Sequence, residues 1–214
     1  SLDAFGHYPC ALYGTTPSRS GELQKALYFD GINDRALISI PSQAKATALS
    51  LVLRVSSLNT AGTRTFSVLG QGTNVGGISI SSVSGSNTFN IQFHRAGANE
   101  VLGSAFTLST SVSMIVLTYD VASKAWALYQ DGVALTNGTL AYAPVLPSGT
   151  WELGSRNATE YFKGLITTAI LYDRVLTAEE VWELQQRPYF LEQNSYSPRA
   201  IKTTPPLTAT SPGR

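Results

Sequence analysis

Apolar and polar residues alternate along most of this chain in short runs, and Gly, Asn, Asp or Ser interrupts them at regular intervals. A period of two places successive side chains on opposite faces, so each run is written as a β-strand with one face turned to a core. The pattern predicts strands at residues 26–29, 35–40, 48–55, 65–69, 77–82, 88–94, 113–119, 125–130, 151–153 and 164–172. Residues 120–124 form a turn between two of them. Asp131-Gly132 supplies the tight turn that two-residue hairpins prefer, because Gly tolerates positive φ. Many short strands at even spacing predict an all-β fold of two antiparallel sheets packed as a sandwich.

The period changes once. Thr177 can cap a helix while Glu180, three residues on, reaches back in a reciprocal capping box. Ala178, Val181, Trp182 and Gln185 then fall on one helical stripe, and the expectation is that Val181 and Trp182 lie over one end of the sandwich. Arg187-Pro188 stops the helix, since proline cannot continue the hydrogen-bond ladder.

Composition changes this picture mainly at the ends. Residues 1–21 and 188–214 are rich in Pro, Ser, Thr and Gly, with aromatic residues set singly among them. The division is an N-terminal arm at 1–21, a sandwich domain at 22–187 and a Pro/Thr-rich C-terminal arm at 188–214. The last stretch, IKTTPPLTATSPGR, cannot build a core, so it gains order only by packing on its own domain or on a neighbouring chain. Tyr189, Phe190, Tyr196, Pro198, Ile201, Pro205 and Pro206 are the candidate partner-binding residues of this arm.

Charge excludes more than it suggests. Fifteen basic and fourteen acidic side chains leave a formal charge of +1, too little to gather nucleic acid or an anionic membrane. There is no apolar run of about 18 residues and no signal-peptide pattern, so neither a membrane span nor an export signal is expected. Cys10 is the only cysteine, which excludes an internal disulfide and a thiolate-built zinc site. It reads as a small packed residue.

Candidate chemistry is sparse. The loop GQGTNVGG at 70–77 misses the spacing of a phosphate-binding glycine motif, and a strand rather than a helix follows it, so it reads as a hairpin loop. Glycoside hydrolysis needs two carboxylates about 5–9 Å apart, and no predicted strand carries acids at every second residue. Glu179 and Glu183 read as solvated, and Asp120, Asp131 and Asp173 as turn formers. Asp30, Asn33 and Asp34 offer clustered oxygens that calcium could use, but an Asx-rich turn between strands is the favoured reading. No metal, cofactor or catalytic residue is therefore assigned. The sequons at Asn137 and Asn157 need a secretory pathway to matter and read as chance matches. Trp126, Trp151 and Trp182 could stack on sugar rings, although core packing is the commoner use of such residues.

Three segments together resemble one family. ALYFDGINDRALISI looks like the opening hairpin of laminin G-like domains in the concanavalin A-like lectin and glucanase superfamily. LTYDVASKAWALYQDGVAL is similar to that family's central hairpin, and WELGSRNATEYFKGLITTAILYDRVLTAEEVWEL resembles its closing strand and helix. The resemblance covers residues 23–186 and implies a concanavalin A-like jelly-roll sandwich closed by one short C-terminal helix, with extended terminal arms. Family members commonly place an acid after the closing Gly-apolar-apolar, where this chain has Thr167 and Thr168, which weakens an inherited acid- or metal-dependent role. LTAEEVWELQQRPYFLEQ resembles the end of laminin G-like proteins of tailed bacteriophages. That resemblance implies a non-enzymatic structural protein of a phage virion, made in the bacterial cytoplasm. Its leading form is a capsid decoration protein whose arms bind major capsid protein, tail subunits or copies of itself. The alternative is a carbohydrate-binding adhesion module with a glycan as partner. Fold alone does not choose between them.

Overall fold

The computed structural model describes residues 10–13, 18–19, 26–40, 47–58, 65–72, 76–82, 86–95, 98–142 and 149–186. Their strands are β1 (Cys10–Tyr13), β2 (Ser18–Arg19), β3 (Ala26–Asp30), β4 (Arg35–Ile40), β5 (Ala48–Ser57), β6 (Thr65–Gly72) and β7 (Gly76–Ser82). There follow β8 (Thr88–Arg95), β9 (Ala98–Thr107), β10 (Ser113–Asp120), β11 (Ala125–Gln130), β12 (Val133–Thr139), β13 (Gly149–Leu153), β14 (Lys163–Tyr172) and the helix α1 (Ala178–Gln186). All ten strands that alternation predicts are present. β9 and β12 were not given ranges by it, and β1 and β2 fall inside the stretch read as an N-terminal arm.

Among the described residues the strands form two seven-stranded sheets. The first runs β1-β4-β13-β6-β7-β8-β9 and the second β12-β11-β10-β5-β14-β3-β2, with every pairing of named strands antiparallel. The chain passes from one sheet to the other at β1–β2, β3–β4, β4–β5, β5–β6, β9–β10, β12–β13 and β13–β14, and non-consecutive neighbours such as β4 with β13 and β5 with β14 give the expected jelly-roll sandwich.

Alternation assigns the faces. On β5, Leu49, Leu51, Leu53 and Val55 turn into the space between the sheets, where Ile78, Ile80, Phe89, Ile91, Phe93, Trp151 and Leu153 meet them from the first sheet. Phe29 and Phe162 complete an aromatic chain with Phe89 and Phe106, at centroid distances of 6.4, 6.5 and 5.9 Å. The remaining β5 positions face outward, and Val52 joins Met114, Val116, Tyr129, Leu176 and Val181 in a second apolar cluster.

That second cluster corrects the expectation for α1. The helix lies on the outer face of the second sheet, not over an end of the sandwich, because the outward side chains of β5, β10 and β11 are apolar and need a cover. Its capping box forms as expected: Glu180 N–H donates to Thr177 Oγ1 at 3.3 Å and Thr177 N–H to Glu180 Oε2 at 2.9 Å. Val181 is buried, but Trp182 is 56 % exposed, one helical position away from the covered stripe. Arg54 Nη2 donates to Leu184 O at 2.8 Å and holds the far end of the helix.

Candidate functional site

The two outer faces differ in chemistry. The second sheet turns apolar residues outward and α1 seals them. On the first sheet, Ile78, Ile80, Phe93, Trp151 and Leu153 point inward, so Ser79, Ser81, His94 and Glu152 lie on the outer side. Ser79 Oγ and His94 Nε2 are 2.7 Å apart, and both residues are buried.

At one end of this polar face the β3–β4 turn and the β13–β14 loop form a rim. The register places Lys163 opposite Asp30 and Leu153 opposite Ala36, so the two connections leave neighbouring strand ends. Gly31 closes directly on Lys163, while Leu58 N–H donates to Lys163 O at 3.0 Å. Gly154, at φ +84°, turns the chain where its backbone lies against the Phe29 ring, a position with no room for a side chain.

Carboxylates fix both connections, and those of Asp34 and Glu152 are buried. Asp30 Oδ1 accepts from Ile32 N at 2.7 Å, and Asp34 Oδ2 accepts from Asp30 N at 2.9 Å. The Asp30–Asp34 segment is thus the Asx-rich turn favoured by the sequence, with carboxylate oxygens bonded to backbone N–H groups. In the β13–β14 loop, Glu152 accepts from Ser155 Oγ, from Asn157 N at 3.1 Å and from Ala158 N at 3.4 Å. Arg156 and Thr159 exchange backbone bonds at 2.9 Å in both directions, and Asn157 and Ala158 between them sit at φ 51° and 55°. This is a tight turn of the I′ kind, with a left-handed Ala that glycine would fill at lower cost. Glu160, also left-handed at φ 50°, pairs with Arg156 and accepts from Thr65 Oγ1 at 2.8 Å. Thr65 Oγ1 is in turn 2.8 Å from Ser81 Oγ.

The rim therefore presents a stiff backbone with Ile32, Asn33, Asn157 and Thr159 exposed and Tyr161 and Lys163 half-buried. Amide and hydroxyl groups beside an aromatic ring can bond and stack on a neutral, hydroxyl-rich ligand. Sequence reasoning named Asp30, Asn33, Asp34 and Asn157 but missed Glu152, Ser155 and Glu160. The available signal was a lone acid inside the apolar strand WEL, which needs buried partners.

The other candidates fall elsewhere. Tyr189, Phe190, Tyr196, Pro198, Ile201, Pro205 and Pro206 lie outside the described residues. Trp151 belongs to the inter-sheet core, Trp126 packs half-buried against that core, and Trp182 is the described tryptophan open to solvent. Glu179 and Glu183 are exposed on α1. Asp120 turns its carboxylate onto Ser123, whose hydroxyl and backbone N–H hold it below the usual aspartate range. Asp131 Oδ1 accepts from Met114 N at 2.8 Å. Thr167, where the family commonly has an acid, sits at a β-bulge in the β14–β5 pairing.

A two-sheet antiparallel sandwich with one polar outer face and a braced loop rim is a concanavalin A-like jelly roll. The chain belongs to the concanavalin A-like lectin/glucanases superfamily, whose laminin G model matches residues 29–182. No curated protein matches its sequence. Among solved structures it is similar to domain 4 of AbnA, a GH43 extracellular arabinanase from Geobacillus stearothermophilus, solved with arabinotriose. The identity is 19%, the TM-score 0.69, and the match covers 85% of this chain and 90% of that one. The binding domain of botulinum neurotoxin DC in complex with rat synaptotagmin II matches at 8% identity and TM-score 0.67. That match covers 84% of this chain but 46% of the toxin chain, so this protein spans about half the length of that relative. A heptameric SAP-like pentraxin from Limulus polyphemus matches at 14% identity and TM-score 0.58, covering 78% and 84%. At these identities the likeness shows the fold.

Proposed function

We propose that this protein is a non-catalytic carbohydrate-binding module that takes a neutral glycan at the rim of residues 30–34 and 154–163. The observation that carries the reading is the braced β13–β14 loop, where Glu152 holds the turn that exposes Asn157 and Thr159. Preorganised hydrogen-bonding groups lose little entropy when a ligand arrives. Membership of a lectin/glucanases superfamily supports carbohydrate as the ligand class, as does a structural neighbour solved in complex with arabinotriose. The carboxylates of this rim bond to the protein's own N–H and O–H groups, which suits holding a sugar rather than cleaving one.

A glycan array with the purified protein, followed by calorimetry on hits, tests this. Asn157→Ala and Thr159→Ala are each expected to weaken a neutral-glycan hit by about 2- to 10-fold, the worth of one hydrogen bond. No hit on the array, or hits that both variants leave untouched, would overturn the assignment to this rim.

The second reading is a virion decoration protein that grips capsid or tail subunits through residues 198–214. It rests on the bacteriophage-like close of the sequence and on the coreless composition of that segment. Removing 198–214 is expected to abolish particle binding while leaving glycan binding intact, and retained particle binding would discard this role.

A further inference from the structure

The rim carries a cation and two aliphatic side chains that the glycan reading does not use. Phe162 and Ile166 face the inter-sheet core, so alternation turns Lys163 outward at the start of β14. On one side Leu58 N–H donates to Lys163 O at 3.0 Å, and on the other Lys163 pairs with Asp30. Gly31 comes next, at φ +84°, and a side chain there would lie 2.9 Å from Lys163 Cβ and 3.6 Å from its Cγ. The lysine stem therefore runs over a bare glycine, which leaves room for it.

Both neighbours of this stem are aliphatic and open. Ile32, which follows Gly31, is 71 % exposed, and Leu58 is 42 % exposed. Single apolar side chains are ordinary on a surface. These two belong to chain segments about 4.8 Å to either side of one lysine stem, whose methylenes join them into a continuous apolar seat. The ammonium above it makes no hydrogen bond or ion pair among the described residues. The carboxylate paired across from it is engaged elsewhere, since Asp30 Oδ1 accepts from Ile32 N at 2.7 Å and from Asn33 N at 3.4 Å.

A donor set between two aliphatic walls restricts the group that fills it. A sugar hydroxyl satisfies the ammonium but leaves both walls in water, and a bare methyl covers the walls but leaves the ammonium without an acceptor. An acetyl group carries both parts on one carbon, a carbonyl oxygen and a methyl, and it adds no charge. We propose that the rim selects acetylated sugars, with the acetyl oxygen accepting from Lys163 Nζ and the methyl seated between Ile32 and Leu58. The assignment rests on the glycan reading above and names the substituent that the ligand bears. An acetyl on nitrogen, as in a 2-acetamido sugar, and one on oxygen, as in an acetylated xylan, present the same two groups.

Calorimetry with the full chain and two matched pairs of probes tests this: triacetylchitotriose against cellotriose, and O-acetylated xylotriose against its deacetylated form. At least one acetylated probe is expected to bind about tenfold or more tightly than its partner, the combined effect of one hydrogen bond and one buried methyl. The pair that shows the preference distinguishes nitrogen from oxygen as the point of attachment. Lys163→Met, which keeps an apolar stem, and Ile32→Ser, at an exposed position, are each expected to reduce that preference by about threefold or more. Equal affinity within both pairs overturns the acetyl assignment, as does a preference that neither variant reduces. Binding of other glycans that Asn157→Ala weakens, with neither acetylated probe bound, leaves the rim reading standing and removes the acetyl seat. No binding to any glycan removes both.

Discussion

Tyr119 heads the fully buried side chains by size, and its hydroxyl has no hydrogen-bond partner among the described residues. Its ring packs 5.1 Å from that of Phe93 in the inter-sheet core. Burial, with a smaller push from the Asp120 charge, raises its phenol from 10.0 to about 12. The folded state therefore favours the neutral phenol, so its contribution to stability is complete below pH 10 and is lost as the pH climbs through about 12. Tyr119→Phe keeps the ring and removes the orphaned hydroxyl. It is expected to raise unfolding free energy at pH 7 by up to about 1 kcal/mol and to flatten the alkaline loss, both read from urea melts across pH. A clear destabilisation would mean the hydroxyl is satisfied in solution. At this scale the sequence is least transparent: Tyr119 and Glu152 are both polar residues in apolar strands, yet one is orphaned and the other braces a loop with three bonds. Only the positions of neighbours separate them.

The helix and its entry turn show how an element is specified twice, locally and across the fold. Arg174 donates to both carboxylate oxygens of Glu180 at 2.7 Å, while the same carboxylate closes the cap on Thr177. Ser50 Oγ, on β5, donates to Arg174 O at 2.7 Å and accepts from Leu176 N at 2.9 Å, tying the turn to the sheet. The Arg174 bond, more than the backbone N–H of Thr177, lowers the Glu180 carboxyl below its ordinary 4.5. A lowered folded value means that the stabilisation is present above pH 4.5 and disappears as the pH falls through the folded value. Glu180→Gln is thus expected to be less stable than the native protein at pH 7, with the gap closing in thermal melts as the pH falls through the lowered folded value. A gap that persists in acid would locate the effect in packing rather than in the ion pair. The capping box was readable from Thr177 and Glu180 because its partners are three residues apart. The seat of the helix was not, because it depends on which residues of β5, β10 and β11 face outward together.

Across the whole molecule, the aromatic chain Phe29–Phe162–Phe89–Phe106 couples the sheets, since Phe89 and Phe106 belong to β8 and β9 and Phe29 to β3. Phe89→Ala is expected to cost about 3–5 kcal/mol and to leave one transition in which tryptophan fluorescence and far-ultraviolet circular dichroism coincide. Separate transitions for the two probes would show that the sheets unfold independently. By itself the sequence determined ten of the fourteen described strands, their alternation, the turn at Asp131-Gly132 and the cap of α1, and hence a two-sheet antiparallel sandwich. Those features follow from short-range rules: a period of two, glycine's freedom at positive φ, and caps closed within one helical turn. Tertiary structure alone decided that the helix covers a sheet face, that Trp182 is left exposed, and that Glu152 reaches the turn at Asn157 and Ala158. It also alone joined residues 30–34 to 154–163 at one rim. Each of those outcomes depends on strands far apart in sequence lying side by side, and pairing partners at such distance leave no periodic trace in the chain.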